Sequence, residues 1–378
     1  MVITTKQRNL NAKQHVKDLY SNISNLTNED FSNHALYAEA NRLLKDIIHV
    51  DITALGFRGV VLTAIVGKYL NSDYDFLNDF YGCKPRSIFE KGIFEALREL
   101  QIPCGKSDPL NVAKGIKVLN SDWAKGRKPP KSGMAVVSYL NLLNSNFGNT
   151  NNYNFLVKLF MFRLKELGDI HANSTVTIVS NNKESHQELA IKLWSFISTA
   201  VEGGTIPQFF IGTLLEAIYL QHPNIEVEGT KESVSSTSTT SKKPGDLIVT
   251  KKGMISHIYE VTLKVVDSKR LSDSYDVLAE QGYLDTPITF LCRIPQDTQS
   301  LTDITYSPKK VSAFAKAQSH TFNFVDIESF ICNQINLLDD EQIDYLLTKL
   351  SEFISEYDRP LRTKEIWNEH FPETSSDI

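Results

Sequence analysis

Two carboxylates stand at a spacing that suits metal-assisted chemistry. Asp246 closes Pro244-Gly245-Asp246, and Glu260 opens Glu260-Val261-Thr262-Leu263-Lys264 after thirteen intervening residues. Mg²⁺ needs hard oxygen ligands converging from separate elements if it is to hold a phosphate and lower the pKa of a water. The pair is therefore a candidate metal site for phosphodiester hydrolysis. A lysine beside such a pair can position the attacking water or stabilise charge developing on the phosphate, which makes Lys264 the candidate cation. Glu216 is a candidate third carboxylate, placed near the pair by chain order alone.

The elements around these residues follow from side-chain periodicity. Asp246–Val249 (DLIV) and Ile255–Val266 (ISHIYEVTLKVV) are rich in β-formers and flank Thr250–Gly253 (TKKG), so the sequence predicts a β-hairpin. Side chains alternate along a strand, which puts Glu260, Thr262 and Lys264 on one face and the apolar Tyr259, Val261, Leu263 and Val265 on the other. Upstream, Pro207–Leu220 (PQFFIGTLLEAIYL) reads as a helix with Pro in its first turn and Glu216 inside it. Ser233–Ser241 is almost all Ser and Thr and is expected to be a loop. Downstream, a helix over Ser272–Gln281 and strands at Ile288–Cys292 and Phe322–Val325 complete an α/β pattern.

The first half of the chain is different. Apolar residues recur three or four apart in Ala35–Ile47, Val60–Leu70, Ile88–Leu97 and Phe155–Leu164, which predicts helices. Breaks fall at Gly126–Gly133 and Asn144–Asn154. The expected organisation is a mainly helical region over 1–150, an α/β core over 151–335 and an acidic helical segment over 336–378. Trp123 and Trp194 fit helical cores. His171, His186 and His257 have no partners at catalytic or metal spacing.

A net charge of −5 gives no global attraction to nucleic acid, so any such partner must meet a local patch. Eleven Lys and Arg against five Asp and Glu fall between Gly82 and Lys131, whereas from Asn333 onward the counts are four and eleven. Arg86, Lys91, Lys106, Lys114, Lys117, Lys125, Arg127, Lys128 and Lys131 are the candidate DNA-contacting residues, since basic side chains on flexible loops suit close approach to phosphate. Cys83, Cys104, Cys292 and Cys332 lie too far apart in sequence for a C-x-x-C site and are expected to be reduced. No secretory leader and no apolar run of membrane-spanning length occurs, so no membrane partner and a cytoplasmic location are expected.

Asp246 and Glu260 resemble the acids of the PD-(D/E)xK nuclease superfamily. Gly245 separates Pro244 from the Asp, and Thr262 stands where that motif has Lys. Lys264 lies two residues further on the same face, with Lys251 and Lys252 of the turn as alternatives. Further upstream, Arg58–Ala64 (RGVVLTA), Asp79–Tyr81 (DFY), Pro85–Ile93 (PRSIFEKGI) and Ile102–Lys114 (IPCGKSDPLNVAK) resemble the SacI-type restriction endonuclease family. The resemblance implies a mixed sheet flanked by helices, Mg²⁺ held by Asp246 and Glu260, and hydrolysis of both strands of a specific DNA duplex. It also implies a homodimer acting in bacterial restriction-modification beside a cognate DNA methyltransferase encoded nearby. Because Thr262 replaces the motif Lys, two alternatives stay open: a nuclease specific for DNA structure or modification, and a DNA-binding protein with a decayed nuclease core.

Overall fold

The structure, a computed structural model, describes residues 4–48, 56–179, 184–231 and 243–372. The Ser233–Ser241 loop expectation lies outside the described residues. The chain forms two compact units, one of residues 1–175 with 357–361 and one of 176–356 with 362–378. The division thus falls after Thr175 and not near 150. The Asn-rich stretch expected to separate domains is only a short turn, because Asn149 caps the next helix through Asn152 N, and that helix, Thr150–Asn173, belongs to the first unit. Residues 336–378 do not stand apart either. The Asp340–Ser355 helix packs within the second unit on the Thr205–Ile218 helix, while 357–361 join the first.

The first unit is helical. Its Gly56–Leu70 helix is buried from Gly56 through Gly67, as expected of a helix apolar on all sides and surrounded by others. Helices Thr5–Ser21, Tyr37–Ile48, Pro130–Ser145 and Thr150–Asn173 share its core. The stretch Pro85–Glu99 is helical but includes a π-helical turn at Phe89–Ile93. His15 stacks on Tyr69 with ring centroids 3.5 Å apart, and burial lowers its pKa from 6.5 to about 4 against the pull of Asp18. Because the folded pKa is depressed, the stabilisation from neutral His15 is complete above pH 6.5 and is lost as pH falls towards 4. Unfolding measured across that window should show a loss of at most about 3 kcal/mol in the wild type and a smaller one in His15→Phe, which keeps the stack.

The second unit is built on a seven-stranded mixed sheet in the order β1-β2-β3-β4-β7-β6-β5. The strands are β1 (Ile225–Glu228), β2 (Leu247–Lys251), β3 (Met254–Val261), β4 (Ile288–Cys292), β5 (Ile304–Tyr306), β6 (Ser312–Ala317) and β7 (His320–Asp326). β3, β4 and β7 run parallel, and the other neighbours are antiparallel. The expected hairpin is β2–β3, closed by Lys252 and Gly253, both at positive φ as a tight two-residue turn requires. One face buries Leu247, Val249, Val261 and Leu291 against the helices His186–Thr199, Thr205–Ile218, Ile327–Ile335 and Asp340–Ser355. The other buries Ile258, Phe290, Phe322 and Phe324 with Leu271 and Leu278 of the Ser268–Gln281 helix. All four cysteines are free, and among the described residues no helix is long and apolar enough to cross a membrane.

Candidate metal centre

β2 and β3 pair with Leu247 opposite Tyr259, so one step further the ladder brings Asp246 beside Glu260. Glycines at two places allow this close approach. A Cβ at Gly229, whose φ is +99°, would lie 2.1 Å from the Asp246 carbonyl oxygen. A Cβ at Gly245 would lie 2.4 Å from Ile258 Cγ2 and 3.0 Å from the Tyr259 carbonyl oxygen. The Gly between Pro244 and Asp246 is thus what lets this segment lie against β3. Gly245→Ala should shift Asp246 away from Glu260. Faster exchange of the Val261 amide hydrogen, which donates to Asp246, in a variant that melts near wild type would show this, and unchanged exchange would refute it.

The Val261 backbone N–H donates to Asp246 Oδ2 at 2.9 Å. Glu260 shares its face of β3 with Ile258, and its side chain is 11% exposed. Burial first, and then the neighbouring Asp246, push the Glu260 carboxyl up to about 8, against the opposing guanidinium of Arg270. Burial also raises Asp246, opposed by the Val261 amide and Arg270. Among the described residues, two carboxyl groups thus share one cation in a desolvated corner, where burial makes ionising both costly. Two hard oxygen donors set side by side, one of which burial leaves holding a proton that a cation could displace, fit a divalent cation such as Mg²⁺.

The cation is not the one expected. β3 ends at Val261, and although Thr262 N still donates to Leu291 O, the chain then turns away. Thr262 Oγ1 accepts from Lys264 N at 3.1 Å, a local hydroxyl turn that competes with the strand. Arg293 Nη2 donates to Leu263 O at 2.5 Å, and Val266 N donates to Asp297 O. Lys264 is therefore off the strand and exposed, and among the described residues its ammonium has no hydrogen-bond or ion-pair partner. Its assignment as the charge beside the acids is corrected. Lys251 ends β2 and Lys252 sits in the turn, at the end of the hairpin away from Asp246.

Arg270 stands there instead. Its Nη2 pairs with Glu260 Oε2 at 3.0 Å, and its Nη1 donates to Thr262 Oγ1 at 3.0 Å. It reaches the site because the helix begins at Ser268, with Asp267 capping it through Arg270 N, and not at Ser272. The legible signal was Asp267 followed by a chain free of helix breakers. Thr262 holds the guanidinium.

Glu216 is not brought to the pair. Its Oε1 accepts from Thr230 Oγ1 at 2.6 Å and its Oε2 from Tyr345 OH at 3.0 Å, so it ties its helix to β1's exit and to the Asp340–Ser355 helix. Among the described residues, the charged neighbours acting on Asp246 and Glu260 are each other and Arg270.

In the first unit the basic residues divide. Lys84, Arg86 and Lys91, with Tyr81, Ser87 and Glu90, line a cleft of about 530 Å³. Glu90 pairs with Arg86 at 3.3 Å and accepts from Ser107 Oγ at 3.0 Å, which docks the Lys106 loop beside it. Lys84, not among the residues expected from charge and loop position, adopts a φ of 56° there. Arg127 is corrected as a phosphate contact: its Nη1 donates to Val112 O at 2.9 Å and its Nε is buried, so it braces the fold. Lys131 pairs with Asp46 at 2.8 Å and Lys125 lies 3.7 Å from Asp122. Lys106, Lys114, Lys117 and Lys128 are exposed. The segments Arg58–Ala64 and Ile102–Lys114 pack on each other, with buried Arg58 facing buried Asp108. No protein-family model and no curated protein matches the chain.

Proposed function

We propose that this chain is a Mg²⁺-dependent endodeoxyribonuclease of the Type II restriction class, cleaving phosphodiester bonds of a specific duplex. The observation that carries the proposal is the trio Asp246, Glu260 and Arg270: two desolvated carboxyl groups, one just ahead of β2 and one on β3, with, among the described residues, a single guanidinium. They lie where parallel strands β3 and β4 end, the usual position for a ligand site in an α/β sheet. Asp246 and Glu260 would hold the ion. The chemistry it supplies when bound is Lewis-acid activation of a water and of the scissile phosphate. Asp246, anchored by Val261 N, keeps its carboxylate fixed. Glu260 is kept desolvated by its strand face. Arg270, held by Thr262, offers the planar fork that matches a phosphate.

The double-stranded DNA, the two-fold symmetric dimer and the companion methyltransferase belong to this proposal. A two-fold protein suits a palindromic site, and cutting both strands needs two such centres. In the first unit, the Lys84–Arg86–Lys91 cleft is the proposed phosphate-binding surface. Replacing the three by Ala should flatten the salt dependence of DNA binding by up to about 0.9 log unit for each phosphate no longer neutralised. An unchanged slope would place the cleft off the DNA. The displaced Lys264 favours a second reading, a DNA-binding protein that does not cut. Incubating phage DNA with the purified protein separates the two: Mg²⁺-dependent discrete fragments support the nuclease, and retardation without cutting supports the binder.

A further inference from the structure

We propose that Arg270 is a displaceable counter-ion: a divalent cation and the Arg270 guanidinium compete for Glu260, and loading the ion releases Arg270 towards an anionic phosphate. This rests on the metal-site reading above and extends it to how the site is switched on. Among the described residues Glu260 has two charged neighbours, Asp246 and Arg270, so one guanidinium faces two carboxyl groups in a corner nearly closed to water. A dication alone balances both acids. With Arg270 also in place, the desolvated corner would carry excess positive charge, and like charges at short range repel strongly there. The mobile partner is the one expected to leave.

Arg270 is built to be that partner. Its backbone is fixed by the Asp267 cap, and Leu271 beside it is buried. Its side chain, by contrast, is 31% exposed, and among the described residues its head group meets, beyond Glu260, the neutral Thr262 hydroxyl and, at 5.7 Å, the Phe290 ring. Turning the guanidinium outward breaks no backbone hydrogen bond. Asp246 and Glu260 have no such freedom, being set by paired strands and, for Asp246, by the Val261 amide. Once outside, a planar five-donor head group is suited to a phosphodiester oxygen pair.

The test uses the full chain without DNA. Mn²⁺ binding is measured by titration calorimetry for wild type, Arg270→Gln and Arg270→Lys. Arg270→Gln should bind the ion about tenfold more tightly or better, because the competitor is gone, and Arg270→Lys should stay near wild type. As a check that does not depend on the variant folding, phenylglyoxal modification of wild-type Arg270 is followed by peptide mass spectrometry. Adding Mn²⁺ should raise its reactivity several-fold. Equal or weaker ion binding by folded Arg270→Gln, or an Arg270 no more reactive with the ion than without it, overturns the exchange. Absence of ion binding in every variant overturns both the exchange and the metal site. An exchange that occurs in a protein that never cuts DNA removes only the nuclease reading.

Discussion

Asp246→Asn and Glu260→Gln are each expected to lower Mg²⁺-dependent cleavage by on the order of a thousandfold or more. Each removes one hard ligand whose charge supports several kcal/mol of transition-state stabilisation, at about 1.4 kcal/mol per tenfold. Neither should unfold the protein. The amide oxygen introduced by Asp246→Asn can still accept from Val261 N, and the side chain of Glu260→Gln keeps the neutral form that burial already favours in Glu260 and avoids the repulsion that sets in as pH rises past about 8. Both variants should therefore melt close to wild type or, for Glu260→Gln, above it. Single-turnover cleavage with a thermal melt of the same sample checks this. Turnover within tenfold of wild type in either variant would remove that carboxylate from the site.

The second large effect separates the two basic residues. Arg270→Ala should reduce single-turnover cleavage by a factor on the order of a hundred to a thousand, the usual range for losing one electrostatic donor to the reacting group. Lys264→Ala, which alters an exposed side chain beyond the end of β3, should stay within a few-fold. Thr262→Ala falls between them, since it removes only the hydroxyl that steadies Arg270. The reverse order, with Lys264→Ala the more damaging, would mean that the lysine and not the arginine serves the phosphate.

The hairpin was legible because both of its runs are rich in β-formers and because Lys252-Gly253 supplies the left-handed turn. The pairing of Asp246 with Glu260 does not follow from the turn: counting from Lys251 opposite Met254 would set Asp246 opposite Tyr259, and a bulge between Val249 and Thr250 that leaves Ser256 unpaired shifts the register by one residue. What lay beyond Val261 was not legible, because Thr262, Leu263, Lys264 and Val265 continue the alternation in sequence while a side-chain turn and the Arg293 clamp end the strand. Arg270 was missed for a related reason. The Ser272–Gln281 pattern is the part of the helix with the clearer periodicity, and the extra turn is set by the Asp267 cap. β6 was missed because it inverts the usual pattern, burying the small Ala313 and Ala315 while leaving Phe314 43% exposed. β1 is a short edge strand whose Glu226 and Glu228 face outward. In the first unit, charge identified the basic window, but charge alone does not show that Arg127 turns inward to a carbonyl.

The most direct measurement is digestion of phage DNA by purified wild-type protein and by Glu260→Gln, each with Mg²⁺ and with EDTA. Discrete fragments from the wild type with Mg²⁺ alone are the expected result. Intact DNA from the wild type with Mg²⁺, or the same fragments from Glu260→Gln, would contradict a nuclease centre at Asp246 and Glu260.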